Sequence, residues 1–218
     1  LIVIAGSDTV SAVLTHIFFH LAWDTVLVKR LQAEFDKLPD ISHENLMTVP
    51  LLDAVIHETM RLHPPVPSGT QRVTPPEGLW IGDRFIPGDT IVQVPSYTVF
   101  RDERAFEFPN EFIPERWTTR PELIRDKSVY IPFNIGEISP NTLNASNVSD
   151  TITGPYACVG KRLAMLELRR VVGEILWRYD LTIAPGQTKE AFLDGKEDTF
   201  TTVSAPLPVV FTKRVRSV

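Results

Sequence analysis

The sequence predicts a mainly α-helical fold that carries small β-sheets. Three observations lead there. Apolar residues recur at helical spacing over the first 38 residues, over residues 50–62 and again after residue 160. Between these stretches, short runs rich in Val, Ile, Phe and Trp are divided by Gly-Asp pairs, as strands are divided by tight turns. Proline fills 18 of 218 positions, about 8% against a usual 5%, so long connecting coil is expected as well.

The opening "LIVIAGSDTVSAVLTHIFFHLAW" supports two readings, a transmembrane span or a buried helix entered partway along. Asp8 would lie inside such a span at a cost of roughly 3 kcal/mol, and His16 and His20 add to it, so the buried helix is the expectation. With no basic n-region and no small-residue cleavage site, a signal peptide is not expected, and the chain reads as a fragment. Asp24 then caps "TVLVKRLQAEFDKL", which Pro39 closes, and Ser42 caps a short helical turn. In "VPLLDAVIHETMRLHPPVP", Leu52, Val55, Ile56, Met60 and Leu62 form an apolar stripe that Pro64-Pro65 end.

"GLWIGDRFIPGDTIVQVPSY" reads as short strands turning at Gly82-Asp83 and Gly88-Asp89. "RDERAFEFPNEFIPERW" reads as coil packed by Phe106, Phe108, Phe112 and Trp117. A long helix follows residue 160, with Leu163, Leu166, Val171, Ile175 and Tyr179 as its apolar positions. The tail "FTTVSAPLPVVFTKR" reads as a strand pair with a proline bend.

Apolar content of 43% and charged content of 22% describe a folded chain and exclude a disordered one. A net charge of −5 argues against nucleic acid as partner. A single cysteine, Cys158, excludes an internal disulfide.

Cys158 has two readings, a small buried hydrophobe or a ligand. It precedes a helix whose dipole favours a thiolate, with Lys161 and Arg162 nearby and Gly160 leaving the backbone open to something flat. Structural zinc would need three further Cys or His ligands at motif spacing.

If the eighteen residues 137–154 are set aside, the flanking sequence reads "PFNIG-PYACVGKRLA". Phe133, Gly136, Cys158, Gly160 and Ala164 then resemble the haem-binding signature of the cytochrome P-450 monooxygenases. "AGSDT" at 5–9, "ETMR" at 58–61 and "PERW" at 114–117 resemble three more segments of that family, in the family's order. The resemblance implies the C-terminal portion of the cytochrome P-450 fold, binding haem b through the Cys158 thiolate. Thiolate ligation of this kind favours O–O cleavage. Phe133 would pack near the sulfur. Asp8 and Thr9 would be the acid–alcohol pair that relays protons on the oxygen-binding side, with Ala5 and Gly6 leaving room there. Glu58, Arg61 and Arg116 would form a buried structural cluster, and Arg72 would pair with a haem propionate. Helix-surface polarity remains the other reading of Asp8-Thr9, as a surface position does for Arg72.

Two departures stand out: Tyr156 occupies the place of a usual Arg or His, and "FRDE" at 100–103 replaces a His-x-Asp-Pro-like segment. By the same resemblance, "PPVPSG" at 64–69 with Phe200, Thr201 and Thr202 would line the pocket for a hydrophobic substrate. Lys161, Arg162, Arg169 and Arg170 form either a docking patch for an NADPH-dependent flavoprotein reductase or a solvated helix face. The implied activity inserts one oxygen atom from O2, and the implied location of the intact protein is the cytosolic face of the endoplasmic reticulum membrane. The competing classes are a truncated or mis-spliced remnant that holds no haem and a membrane-anchored interaction protein.

Residues 137–154, "EISPNTLNASNVSDTITG", interrupt the ligand loop. They read as a retained intron or as a true loop insertion. Gly136-Glu137 can be encoded GGT-GAG, Thr153-Gly154 can be encoded ACA-GGN, and eighteen codons keep the frame. Sequons begin at Asn144 and Asn147, which a cytosol-facing enzyme would not use.

Overall fold

A computed structural model describes residues 2–134 and 157–215. Helix α1 (Ile2–Trp23) is exposed from Val3 to Asp8 and then turns one side to the core, burying Val10, Val13, Ile17 and Leu21 while Ser11 stays exposed. Among the described residues no single helix is long and apolar enough to cross a membrane. Asp24 caps helix α2 (Thr25–Phe35) by accepting the Leu27 N–H at 2.8 Å, and Ser42 caps helix α3 (His43–Leu46) by accepting from Asn45. Helix α4 (Pro50–Leu62) starts on a proline, whose missing N–H costs nothing there, and buries Leu52, Val55, Ile56, Met60 and Leu62 as the periodicity requires. Helix α5 (Ser96–Val99) is one turn. Helices α6 (Lys161–Arg178) and α7 (Lys189–Asp194) complete the set among the described residues. Helices α1, α2, α3, α4 and α6 share one apolar core.

Among the described residues, four two-stranded antiparallel sheets decorate this core. β1 (Arg72–Val73) pairs with β4 (Ile91–Val92), and β2 (Leu79–Ile81) with β3 (Arg84–Ile86) across the Gly82-Asp83 turn. At Gly88 a Cβ would fall 2.0 Å from the Pro76 carbonyl oxygen, so this turn takes no side chain. β5 (Tyr179–Ile183) pairs with β8 (Val209–Lys213), and β6 (Glu197–Thr199) with β7 (Thr201–Val203). The tail strands β7 and β8 are therefore not partners, contrary to the sequence expectation. Each finds a neighbour nearer in space, β7 through the Phe200 hairpin and β8 beside the strand that leaves α6.

Two further expectations are corrected. Phe108 is 48% exposed with a positive φ of 49°, whereas Phe106 is fully buried and Phe112 packs on the core. The buried stripe of α6 is Met165, Leu168, Val172 and Leu176, not the expected set, and Leu163 is 56% exposed. That helix is apolar on two sides, and the core selects the one where Gly173 admits Leu46, whose methyls lie 2.8 and 2.9 Å from a Cβ built there. Tyr179 leaves the helix altogether and begins β5.

This assignment of faces has a measurable consequence. Leu176→Ala should cost about 2–5 kcal/mol of unfolding free energy, and Leu163→Ala no more than about 0.5 kcal/mol. Urea midpoints of the two variants read the difference directly.

Candidate functional site

Cys158 lies just ahead of α6. The Lys161 N–H donates to its carbonyl at 3.2 Å, and the Ala164 N–H donates to the Gly160 carbonyl at 2.8 Å. The Cys158 N–H donates to the Phe133 carbonyl at 2.9 Å, which ties the cysteine to the chain before residue 134. The thiol is exposed. Beside it Val159 is 98% exposed, and Leu163 follows one turn on. Phe133 and Ala164 are half-buried against the main core. The expected positions Gly136 and Tyr156, and the segment 137–154 with Asn144 and Asn147, lie outside the described residues.

A second feature is a buried charge cluster in which Glu58, Arg61 and Arg116 each have 0% exposure. Glu58 Oε1 accepts from Arg61 Nη2, Arg116 Nε and the Ile113 N–H, each at 2.9 Å. Glu58 Oε2 accepts from Arg61 Nε at 3.0 Å and Trp117 Nε1 at 2.9 Å. The other Arg61 hydrogens go to the carbonyls of Phe100, Pro109 and Glu111, so all five of its N–H groups are used. Arg116 holds the carbonyls of Glu107, Phe108 and Leu123. Burial pulls Arg116 below its ordinary pKa, and Glu58 opposes that shift.

Sequence reasoning found this triad and missed its extension. Trp117 packs on Tyr130 at 4.6 Å, and Tyr130 donates its hydroxyl to the His57 carbonyl at 3.0 Å. Burial pushes the Tyr130 phenol well above its ordinary range, so it keeps its proton. Three residues later the chain reaches Phe133 and the Cys158 bond. The signal available was the tryptophan directly after Arg116, whereas nothing local marked Tyr130.

On α1, Thr9 Oγ1 donates to the Ala5 carbonyl at 2.8 Å, and Ser7 Oγ donates to Asp8 Oδ1 at 3.2 Å. Ala5 and Gly6 are exposed, and a Cβ on Gly6 would meet nothing within 4 Å. Asp8 lies on an open cleft of about 810 Å3, with Ser11, Thr15 and Phe18 of α1 on one wall and Thr201 and Thr202 on the other. Phe200, 64% exposed at the hairpin tip, does not line it. The 64–69 turn is not on the cleft either. It anchors the wall instead, since the Thr202 N–H donates to the Pro65 carbonyl at 2.9 Å and Thr202 Oγ1 to the Pro64 carbonyl at 3.2 Å. Arg72 is exposed on β1, with Nη1 donating to the Gln71 carbonyl at 2.8 Å.

The four-residue basic patch is reduced. Arg169 forms a bidentate pair with Asp53 at 2.7 and 2.9 Å, and Arg170 pairs with Glu174 at 2.7 Å. Among the described residues no group of three or more His, Cys, Asp or Glu side chains could hold a metal ion.

The protein-family model described as cytochrome P-450 matches residues 1–137. A cytochrome P-450 monooxygenase of Eupenicillium brefeldianum is 56% identical over 98% of this chain and 40% of its own length. One of Fusarium pseudograminearum is 43% identical over 98% of this chain and 36% of its own. The tryprostatin B 6-hydroxylase of Aspergillus fumigatus is 35% identical over the same shares. The exposed thiol, the buried Glu58 cluster and the helix bearing Asp8 and Thr9 thus occur in a chain that belongs to the cytochrome P-450 family. It spans about 40% or less of the length of these curated relatives, all of them fungal.

The buried cluster carries the first test of this site. Glu58→Gln leaves two guanidinium groups buried without a counter-ion, so it should cost about 3–5 kcal/mol of stability in a urea titration.

Proposed function

We propose that this chain is the thiolate-bearing part of a haem monooxygenase. The whole protein would insert one oxygen atom from O2 into a hydrophobic organic substrate, with electrons from an NADPH-dependent flavoprotein reductase. The observation that carries this reading is an exposed cysteine at the start of α6, bordered by exposed apolar Val159 and Leu163. A thiol donor surrounded by apolar surface fits a flat, largely apolar iron porphyrin, and the open space beside Gly6 is compatible with one. Haem b, when bound, supplies the iron at which O2 is activated.

Cys158 would ligate the iron, with Phe133, Gly160 and Ala164 around the ligand loop and Arg72 as a propionate partner. The Phe133 carbonyl fixes the loop by its bond to the Cys158 N–H. Thr9 already gives its hydroxyl proton to Ala5, so its free lone pairs suit it to orient an incoming proton donor. Asp8, exposed and on the cleft, would exchange that proton with solvent. The threonines of β7 and the apolar Phe18 would contact substrate.

The second reading is a remnant that holds no haem. It is favoured by the large apolar side chains left uncovered on α1, where Val3 and Ile4 are exposed. We also propose that 137–154 is a retained intron or loop insertion, a reading supported by the family match ending at residue 137.

Purified chain reconstituted with hemin, reduced and exposed to carbon monoxide, should give the red-shifted absorption band of a thiolate ligand. Cys158→Ser should abolish that band while far-ultraviolet circular dichroism stays unchanged. Absence of the band in the unmodified chain favours the remnant. Deleting residues 137–154 should strengthen haem uptake, and equal or weaker uptake would count against the insertion reading.

A further inference from the structure

Three histidines meet behind the cleft wall, and the proposed oxygen chemistry uses none of them. His16 and His63 are buried and stacked at 4.2 Å, and His20 is half-buried and stacked on Phe112 at 3.7 Å. His20 Nε2 lies 3.0 Å from His63 Nε2, and Lys196 Nζ lies 3.3 Å from His63 Nδ1.

Hydrogen-bond chemistry fixes the tautomers. An ammonium only donates, so His63 Nδ1 is bare and its proton sits on Nε2. That proton goes to His20 Nε2, which is therefore the acceptor. A carbonyl only accepts, so His16 Nδ1, 2.8 Å from the Ala12 oxygen, carries the proton of that ring. His16 Nε2 is then bare, and among the described residues it is buried without a hydrogen-bond partner. An added proton thus meets a donor on His63 or His20, and no acceptor on His16.

The charged groups facing the cluster reinforce this. They are Lys189 of α7, Lys196 of the turn before β6, and Arg101, which donates to the Leu62 carbonyl next to His63. All three are cations. Arg101 and Lys196 also lie over the Tyr97 ring, and Glu58 faces Arg101. Burial pushes His16 down to about 4 and holds His20 and His63 well below their ordinary range, with the neighbouring cations adding to it.

His63 and Lys196 sit where the cleft wall is fastened. Pro64 and Pro65, next along the chain from His63, hold Thr202, and Ser68 hydrogen-bonds Asp198 of β6. Phe192 of α7 stacks on Phe19 and meets His16 edge-on.

We propose that His16, His20, His63 and Lys196 form an acid-released latch, which as neutral imidazoles clamps the β6–β7 hairpin against α1 and α4 and on protonation frees that wall of the cleft. The sign follows from the lowered values. A histidine depressed in the closed form takes up a proton on opening, so closure is fully stable above about pH 6.5 and weakens as pH falls toward 4. Each such histidine should raise the opening equilibrium about tenfold between pH 7.5 and 5.5.

The test is amide hydrogen exchange of the 218-residue chain at pH 7.5 and 5.5, corrected for intrinsic rates and read at Thr202. Opening there should rise at least tenfold, and by more than at Val28 of α2 or Val172 of α6. His16→Phe keeps the ring against His63 and Phe192, and His63→Gln keeps an acceptor for Lys196. Each should cut the pH effect about tenfold. The latch is overturned by opening that does not change with pH, by opening that only follows the helical core, or by a full pH effect in both variants.

Discussion

The Glu58 carboxylate is the group on which the rest of the structure leans. It sits without exposure between two arginines, and burying three charges is tolerable only when every lone pair and hydrogen is matched. Here one carboxylate accepts five hydrogen bonds, and Arg61 spends all five donors. Most of the bonds beyond the triad end on backbone carbonyls between Phe100 and Leu123. That stretch has no sheet and little helix to satisfy its own carbonyls, so the two guanidinium groups do the work of a hydrogen-bond ladder. The coil has a definite shape because Arg61 of α4 and its own Arg116, both anchored on Glu58, provide its partners.

From there order passes to the cysteine. Glu58 holds Trp117, Trp117 packs on Tyr130, and the chain beyond Tyr130 reaches the carbonyl that fixes Cys158. The other support is α6, whose buried stripe grips the core while its opposite apolar side stays open beside the thiol. An aqueous surface that presents Val159 and Leu163 next to a sulfur is costly unless something apolar covers it. The same economy explains the cleft wall, where a short hairpin without a core of its own is tied through proline carbonyls to the turn that follows α4.

Legibility in the sequence followed the range of the interaction. Asp24 and Ser42 were readable as caps because a cap acts within three residues, and Pro64-Pro65 were readable as a stop. The Glu58–Arg61 pair was visible in its three-residue spacing, and Arg116 was added by family resemblance. The buried side of α6 was not readable, because a helix apolar on two sides gives no preference until the core chooses. Pairing of β5 with β8 depends on which strand ends come together, which no local pattern encodes. The His20–His63 contact spans 43 residues, and each histidine alone looks like an ordinary core or surface residue.

The bond between Glu58 and Arg116 spans 58 residues, and this imposes an order of assembly during translation. When α4 has been synthesised, Glu58 and Arg61 have only each other, and a lone ion pair is cheaper in water than in a core. The helix can form then, but its polar side must stay wet until Trp117 has emerged from the ribosome. The proline-rich coil cannot hold its shape earlier either, because its carbonyls wait on the same arginines. Helix and coil therefore dry together in one late step, and a nascent chain halted between them keeps a charged, hydrated seam where the folded chain buries Glu58, Arg61 and Arg116 completely.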